Sequence, residues 1–368
     1  MNVMIVIPSL EGGGAERAFV NLSSHFRAKG WNVTIATFGS RDLDAYQLDQ
    51  GVKRIELGLF VVSRNPVIGA LLSLWRVFRI RKAVKSLRPD IVVGVMPAAG
   101  ILSILATVST KIPVIVAERS HPGAILLPMH WRVLRKLLYR YANAVTVQTE
   151  AAAVWIRSVC KMERVEVIPN ACHWPVADSP PFVPIPDGNR ICLAVGRFGP
   201  EKGFDLLLEA WGRISYRFPD WRLVIAGTGE QYRSIQQRVF ELGLENRVSL
   251  PGRVGNMAMW YARAEMFVLS SRFEGFPNVL VEALASGCAA VAYDCLAGPA
   301  DIVRNGIDGI LVKPGQIEEL ANAMEKLMEN PDLLARYRAA APDIISRLSV
   351  DRVYDRWKAL FRTHILAG

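Results

Sequence analysis

Short apolar segments alternate with helix-length stretches twice along this chain, and that alternation restricts the fold to layers of helix on parallel sheet. In the first half the apolar segments are 3–7, 33–38, 91–96, 114–117 and 144–148, and a helical pattern over 15–29 joins the first two. Ile91–Met96 is apolar throughout, as expected where helices cover both faces of a sheet. From His173 to Gly188 the composition changes: Pro175, Pro180, Pro181, Pro184 and Pro186 mark a semi-rigid linker. The alternation then resumes at 191–195, 222–226, 248–250, 266–269 and 289–293. The expected organisation is α/β, with two doubly wound domains at 1–172 and 190–349 and a linker at 173–189. An amphipathic helix in 350–368 is expected to cross back onto the first domain. A chain of 368 residues, 51% of them hydrophobic, is long and apolar enough for two such cores.

Other classes are excluded in turn. The five cysteines, Cys160, Cys172, Cys192, Cys288 and Cys295, form no C-x-x-C pair, which points to a reducing compartment with neither a zinc site nor a disulfide frame. The apolar start has no basic residue before it and is broken by Pro8, so it reads as a first strand and not a signal peptide. Ile91 to Thr110 holds 20 uncharged positions, long enough to span a bilayer, but Gly94, Pro97 and Gly100 interrupt it and favour strand, turn and helix. Asp42-Leu43-Asp44 has the look of a metal-binding pair; it lies in a polar loop and reads as solvated, and no metal is expected.

Three loops could carry chemistry. Gly12-Gly13-Gly14 follows the first strand and opens a helix, where glycines let amides approach a phosphate. It is not a dinucleotide fingerprint: Arg17 stands where the last glycine would be, and no acid closes the second strand. Strand 191–195 runs into Gly196-Arg197-Phe198-Gly199-Pro200-Glu201-Lys202-Gly203, whose cations Arg197 and Lys202 could clamp a diphosphate. The third loop, Ser270-Ser271-Arg272-Phe273-Glu274-Gly275-Phe276-Pro277-Asn278-Val279, leads into a helix that contains Glu282, with Pro277 expected as its first residue. Two carboxylates beside a helix entrance also suit a retaining glycosidase, and either one alone suits a solvated surface.

Together these loops resemble the family 4 glycosyltransferases of the GT-B fold, which pairs two Rossmann-like domains around a cleft. The resemblance runs over nearly the whole chain. It covers Gly13–Arg17, Val195-Gly196-Arg197 with Lys202-Gly203, Ala226–Glu230 and Glu274–Glu282, then Gly298–Asp301 and Asp308–Val312. It implies that Glu274 holds donor-sugar hydroxyls and steadies positive charge at the anomeric carbon. Glu282 would take the ribose hydroxyls, and Arg197 and Lys202 the leaving diphosphate. Gly14, Gly229, Phe276, Asn278 and Val279 would border phosphate or sugar, with Arg253 and Val254 beside the base. Configuration would be retained with no metal or other cofactor, the cations taking the metal's place. On the acceptor side many relatives carry a histidine; here the segment is Ala117-Glu118-Arg119-Ser120-His121, in which Arg119 takes its place and His121 follows two residues later.

The charge is lopsided. Residues 1–180 carry 22 Lys and Arg against 12 Asp and Glu, whereas the remainder is neutral. Segments 67–88 and 125–141 mix Leu, Trp and Phe with clustered cations, as helices at an anionic membrane surface do. The resemblance is nearest to bacterial enzymes that extend lipid-linked oligosaccharides, transferases of N-acetylgalactosamine among them. The expected substrates are therefore a UDP-sugar, favoured over a GDP-sugar, and a lipid-linked glycan, met on the inner face of the cytoplasmic membrane. A transferase of small acceptors and a UDP-sugar 2-epimerase remain open on the same fold. A nucleic-acid-binding module would use the basic half, but no aromatic-basic recognition element is present, so no nucleic-acid partner is expected.

Overall fold

The computed structural model describes residues 1–58, 65–186 and 188–366. It divides into two compact units: residues 1–171 with the C-terminal segment from Asp351, and Cys172–Val350.

Among the described residues, the first unit is built on β1 (Asn2–Ile7), β2 (Asn32–Thr37), β3 (Lys53–Glu56), β4 (Ile91–Val95), β5 (Val114–Ala117), β6 (Ala144–Val147) and β7 (Val165–Val167). They form one sheet in the order β3-β2-β1-β4-β5-β6-β7, every pair parallel. Helices α1 (Gly14–Ala28), α2 (Pro66–Leu87), α3 (Pro97–Thr107), α4 (Met129–Leu138) and α5 (Glu150–Cys160) connect them. Side chains alternate across the sheet: Met4 and Val6 enter one core with α3, while Val3, Ile5 and Ile7 enter another with Phe19 and Phe26 of α1. The uncharged stretch after Asp90 resolves as β4 followed by α3, a helix buried on nearly all sides. Glycine brings the two together: a Cβ on Gly94 would lie 2.6 Å from the Gly100 backbone. No described helix is long and apolar enough to cross a membrane.

The C-terminal helix, Val350–Leu366, packs on this unit from Asp351 onward. Val353, Tyr354, Trp357, Leu360 and Phe361 recur at helical spacing and are buried in the core shared with α1. Trp357 meets Phe19 edge-on at 5.7 Å. Each such side chain contributes about 1.5–3 kcal/mol of transfer free energy on burial, enough to fix the helix there.

The second unit carries β8 (Arg190–Val195), β9 (Trp221–Ala226), β10 (Val248–Gly252), β11 (Ala264–Leu269), β12 (Ala289–Tyr293) and β13 (Gly309–Val312). Its order is β10-β9-β8-β11-β12-β13, again parallel throughout. Helices α6 (Phe204–Ile214), α7 (Tyr232–Glu241), α8 (Met257–Arg263) and α9 (Asn278–Ala285) lie between strands, and further helices follow β13.

Four expectations need correction. The proline-rich segment, expected as a semi-rigid linker between the domains, is part of the second unit: Trp174, Val176, Val183 and Ile185 pack on its core. Asn256 also holds Val183 through paired hydrogen bonds of 2.9 and 3.0 Å. The helix expected over 125–141 begins only at Met129, because Pro128 ahead of it is its cap, and ends in a 3-10 turn at Tyr139–Tyr141. Pro277 is the cap of α9 and not its first residue. Asp44 is not solvated: Arg54 grips it with two hydrogen bonds of 2.9 Å, both side chains largely buried.

Candidate functional site

In an open parallel sheet, ligands bind outside the carboxyl ends of the strands where the order reverses. In the second unit the chain runs outward from β8 through β9 to β10, then returns to β11 on the other side. The loops that follow β8 and β11 therefore meet at the switch point. They are the two loops in which the sequence placed Arg197, Lys202 and Glu274.

Their meeting is close. Lys202 Nζ donates to Glu274 Oε1 at 2.7 Å, and Ser271 Oγ donates to the same oxygen at 2.7 Å. Both members of the ion pair are mostly out of solvent, with side chains 18% and 11% exposed. Backbone and side chains lock the loops together: Ser270 Oγ donates to the Lys202 carbonyl at 2.9 Å, and the Arg272 amide donates to the Glu201 carbonyl at 2.8 Å. The Arg272 guanidinium forks onto Asp205 at 2.9 and 2.6 Å and reaches the Pro200 carbonyl at 2.8 Å. Its hydrogen bond holds the Asp205 carboxyl below the usual aspartate value. Arg197 stands at the mouth, its guanidinium 2.8 Å from Glu201 and well exposed.

Glycine permits this packing at two points. Gly203 adopts φ +62°, and a Cβ there would sit 2.2 Å from the Ser270 carbonyl oxygen. Gly227, after β9, has φ +141°, and a Cβ would lie 1.9 Å from the Gly196 carbonyl oxygen. Gly229 follows in the same loop, against the Phe198 backbone.

The remaining donor residues line the same edge. Phe276 is buried, and Asn278 and Val279 open α9 half-buried. One turn on, Glu282 accepts from Tyr261 Oη at 3.0 Å. It lies beside Cys172, whose thiol is pushed up to about 11 by burial and by the Glu282 charge. Arg253 and Val254 follow β10 at that edge, the arginine exposed. Gly14 belongs to the first unit, where it is the first residue of α1. The buried Glu16 there reaches back to the Gly13 amide and accepts from Ser9 Oγ at 3.2 Å.

The acceptor-side trio is rearranged. Glu118 is not at the surface: it is fully buried, accepting from Tyr139 Oη at 2.6 Å with Arg135 at 3.7 Å. Burial holds its carboxyl above the usual glutamate value. His121 is also buried, its Nδ1 accepting from the Gly123 amide at 3.2 Å, and desolvation lowers its pKa. It is a loop-packing residue. Arg119 alone of the three stays half-exposed. Sequence reasoning missed Ser271, Asp205, Arg272 and Tyr261; Ser271 bonds Glu274 within its own loop, whereas Arg272 meets Asp205 only because two loops 67 positions apart come together.

Two parallel doubly wound units with this switch-point site are the GT-B glycosyltransferase architecture. The chain belongs to the family 4 glycosyltransferases: the family model "Glycosyltransferase Family 4" matches residues 12–173, and "Glycosyl transferases group 1" matches 177–343. The chain is 27% identical to an alpha-1,4-N-acetyl-D-galactosaminyltransferase of Campylobacter jejuni named for a GalNAc-GalNAc-diNAcBac-PP-undecaprenol, over 98% of each chain. It is 25% identical to the amylovoran biosynthesis glycosyltransferase AmsD of Erwinia amylovora, over 96% of this chain and 98% of that one. Among solved structures, the sucrose-phosphate synthase of Thermosynechococcus elongatus superposes with a TM-score of 0.85 at 19% identity, over 100% and 99% of the two chains. HepE of Anabaena in complex with UDP gives 0.81 at 20% identity, over 99% and 100%.

Proposed function

We propose that this glycosyltransferase moves a hexose or N-acetylhexosamine, N-acetylgalactosamine among them, from a UDP-sugar to a polyprenyl-diphosphate-linked or lipopolysaccharide-type glycan, with retention and without a metal. The observation that carries the reading is the 2.7 Å contact of Lys202 with Glu274 at the carboxyl ends of β8 and β11. A sugar diphosphate is anionic at the leaving group and gains positive charge at the anomeric carbon as the bond breaks. A cation and a carboxylate fixed side by side match both ends of that bond, and fixed charges in a shielded site lower the barrier most. Arg197, at the mouth, adds a second cation for the diphosphate. Glu282, steadied by Tyr261, can accept from the two ribose hydroxyls. The UDP preference draws on the solved HepE complexes with UDP and UDP-glucose, and the lipid-linked acceptor on the name of the Campylobacter relative. A screen of UDP- and GDP-sugars, read by nucleotide release, tests this: UDP-sugars should be turned over. A preference for GDP-sugars would overturn the donor assignment, and no release from any sugar nucleotide would overturn the reading as a whole.

The same proposal places the first unit on an anionic membrane surface. Helices α2 and α4 flank the buried α3. Along α2, Val67, Ile68, Leu71, Leu74, Trp75 and Phe78 recur at helical spacing and are exposed; Met129, Val133 and Leu137 do the same on α4. Lys82, Lys85, Arg132, Lys136 and Arg140 stand exposed on the same two segments, so an apolar stripe comes with cations. Not every cation of these helices serves: Arg81 caps the Leu105 and Ala106 carbonyls at 3.0 Å, and Arg135 faces Glu118.

A further inference from the structure

The carboxyl edge of the first sheet holds a cation that no acid balances. Arg119 is the second residue past β5. Successive side chains leave a strand on opposite sides. Glu118 therefore turns to Tyr139, and Arg119 turns to α1, where its guanidinium carbon lies 5.2 Å from the centre of the Phe19 ring. Nη2 donates to Asn170 Oδ1. The buried Gln148, oriented so that both ends of its amide are satisfied, donates to the Arg119 carbonyl at 2.8 Å and accepts from Nη2 at 3.2 Å. Nε is out of solvent and has no partner. Among the described residues, no carboxylate comes within ion-pair distance of this guanidinium.

The contrast with two buried arginine side chains of the unit is sharp. Arg54 and Arg135, 6% and 5% exposed, each face a carboxylate, Asp44 and Glu118. Arg119 is half-exposed as a whole, but its Nε is out of solvent and no counter-charge faces it, and desolvation pulls its pKa down to about 10. Its contacts are neutral amides and a ring, which orient a guanidinium without discharging it. The fork is therefore held ready for a charge from outside.

We propose that Arg119, Asn170 and Gln148 form an oxyanion subsite of the first unit that takes a substrate phosphate or diphosphate group. With Nη2 engaged by the two amides and Nη1 not buried, Nη1 is the donor left for an oxyanion. The ligand class rests on the glycosyltransferase reading, since both proposed substrates carry a diphosphate. The donor diphosphate already has Lys202 and Arg197 in the second unit, so the acceptor's diphosphate is the expected occupant.

Binding to the full chain, measured by calorimetry, tests this with inorganic pyrophosphate, UDP and a short-chain prenyl diphosphate as probes. Arg119→Met should weaken prenyl diphosphate and pyrophosphate binding by about tenfold or more, as expected for loss of a charge-assisted hydrogen bond, and leave UDP affinity intact. Loss of UDP affinity instead would keep the subsite and assign it to the donor. Without ligand, the variant should melt at or above the wild-type temperature, because an uncompensated charge has been removed; Arg119→Lys should recover part of the binding. Unchanged affinity for all three probes, or a lower melting temperature with binding intact, would overturn the proposal and make Arg119 a structural cation. Glu274→Gln separates the two readings: it should abolish turnover of sugar nucleotides yet bind prenyl diphosphate normally. Wild-type turnover in that variant would sink the donor-site reading whatever Arg119 does.

Discussion

Replacing Lys202 by methionine removes one ammonium while preserving most of the stem that lies over Gly196, 3.3 Å from the position of a Cβ there. Glu274 would then keep Ser271 as its hydrogen-bond donor at 2.7 Å. At the observed 2.7 Å, two unit charges at an effective dielectric of about 20 attract by about 6 kcal/mol. Desolvation offsets most of that in a pair this buried, leaving about 1.5–3 kcal/mol, the usual net worth of a charged hydrogen bond. For a unit of this size, 1 kcal/mol moves the melting temperature by about 2–4 °C, so K202M should lower the second unit's transition by roughly 3–12 °C. The catalytic loss should be larger than the stability loss suggests. Removing one charge-stabilising group from an active site costs roughly 2–4 kcal/mol of barrier, or about 30- to 900-fold in turnover.

The partner substitution separates the two effects. Glu274→Gln also breaks the pair but leaves Lys202 unneutralised, so UDP should bind as tightly as before or more tightly while turnover falls. K202M should weaken UDP and lower turnover together. The double variant should lose little more turnover than either single one, because residues that act as a unit are not additive. Nucleotide release from UDP-sugars, with calorimetric UDP affinity, reads all three. If K202M kept wild-type turnover and UDP affinity, the contact would be a structural ion pair and the switch-point assignment would fail.

Other substitutions probe the neighbouring groups. Glu282→Ala should raise KM for the sugar nucleotide with little change in kcat, and Tyr261→Phe should do the same more weakly, because ribose contacts persist in ground and transition states; steady-state kinetics reads both. Gly227→Ala forces a side chain onto φ +141° and toward the Gly196 carbonyl, so urea titration should show a loss of roughly 1–3 kcal/mol from backbone strain alone. Glu118 binds its proton more tightly in the native state than in the unfolded chain, where the value is near 4.5. Its contribution to stability must therefore fall as pH rises above that value, and Glu118→Gln should remove this slope in denaturation curves taken from acid to neutral pH. Lys82→Gln with Lys85→Gln should weaken flotation with anionic vesicles by roughly 30-fold, at about 1 kcal/mol per cation near the surface; unchanged flotation would remove α2 as the docking helix.

The sequence exposed the architecture wherever burial leaves a compositional trace. β4 and β5 are covered on both faces and read as unbroken apolar runs, and β6 is interrupted by the buried Thr146. β3, with Lys53, Arg54 and Glu56, and β7, three residues long, are edge strands that bury too little to show. Within the site, Glu274 and Glu282 stand out because a fixed spacing across a loop and helix start is a local signal. The Lys202–Glu274 contact is not local. It exists because β11 returns to pair with β8, a fact of strand order that no window of sequence contains. The fate of Glu118 was hidden for a similar reason: its partners Arg135 and Tyr139 lie four apart on a segment that reads as one membrane-facing helix, and only folding shows that this pair turns inward.

That inward pair also changes what the basic first half means. An excess of cations over residues 1–180 reads at first as a single electrostatic surface. The structure divides it by what each charge touches. Arg54 and Arg135 have internal carboxylates, and Arg81 is spent on the carbonyls at the end of α3. Lys82, Lys85, Arg132, Lys136 and Arg140 remain exposed along α2, α4 and the turn after it, beside the apolar stripes. Arg119 belongs to neither group, being half-buried with Nε out of solvent and facing no counter-charge. A cation in water costs little and steers broadly, and salt screens it; a partly buried cation without a counter-charge is more selective, because a ligand that brings its own charge offsets the cost. Surface docking and head-group recognition would then fall to different residues of one unit, and salt should weaken the first far more than the second.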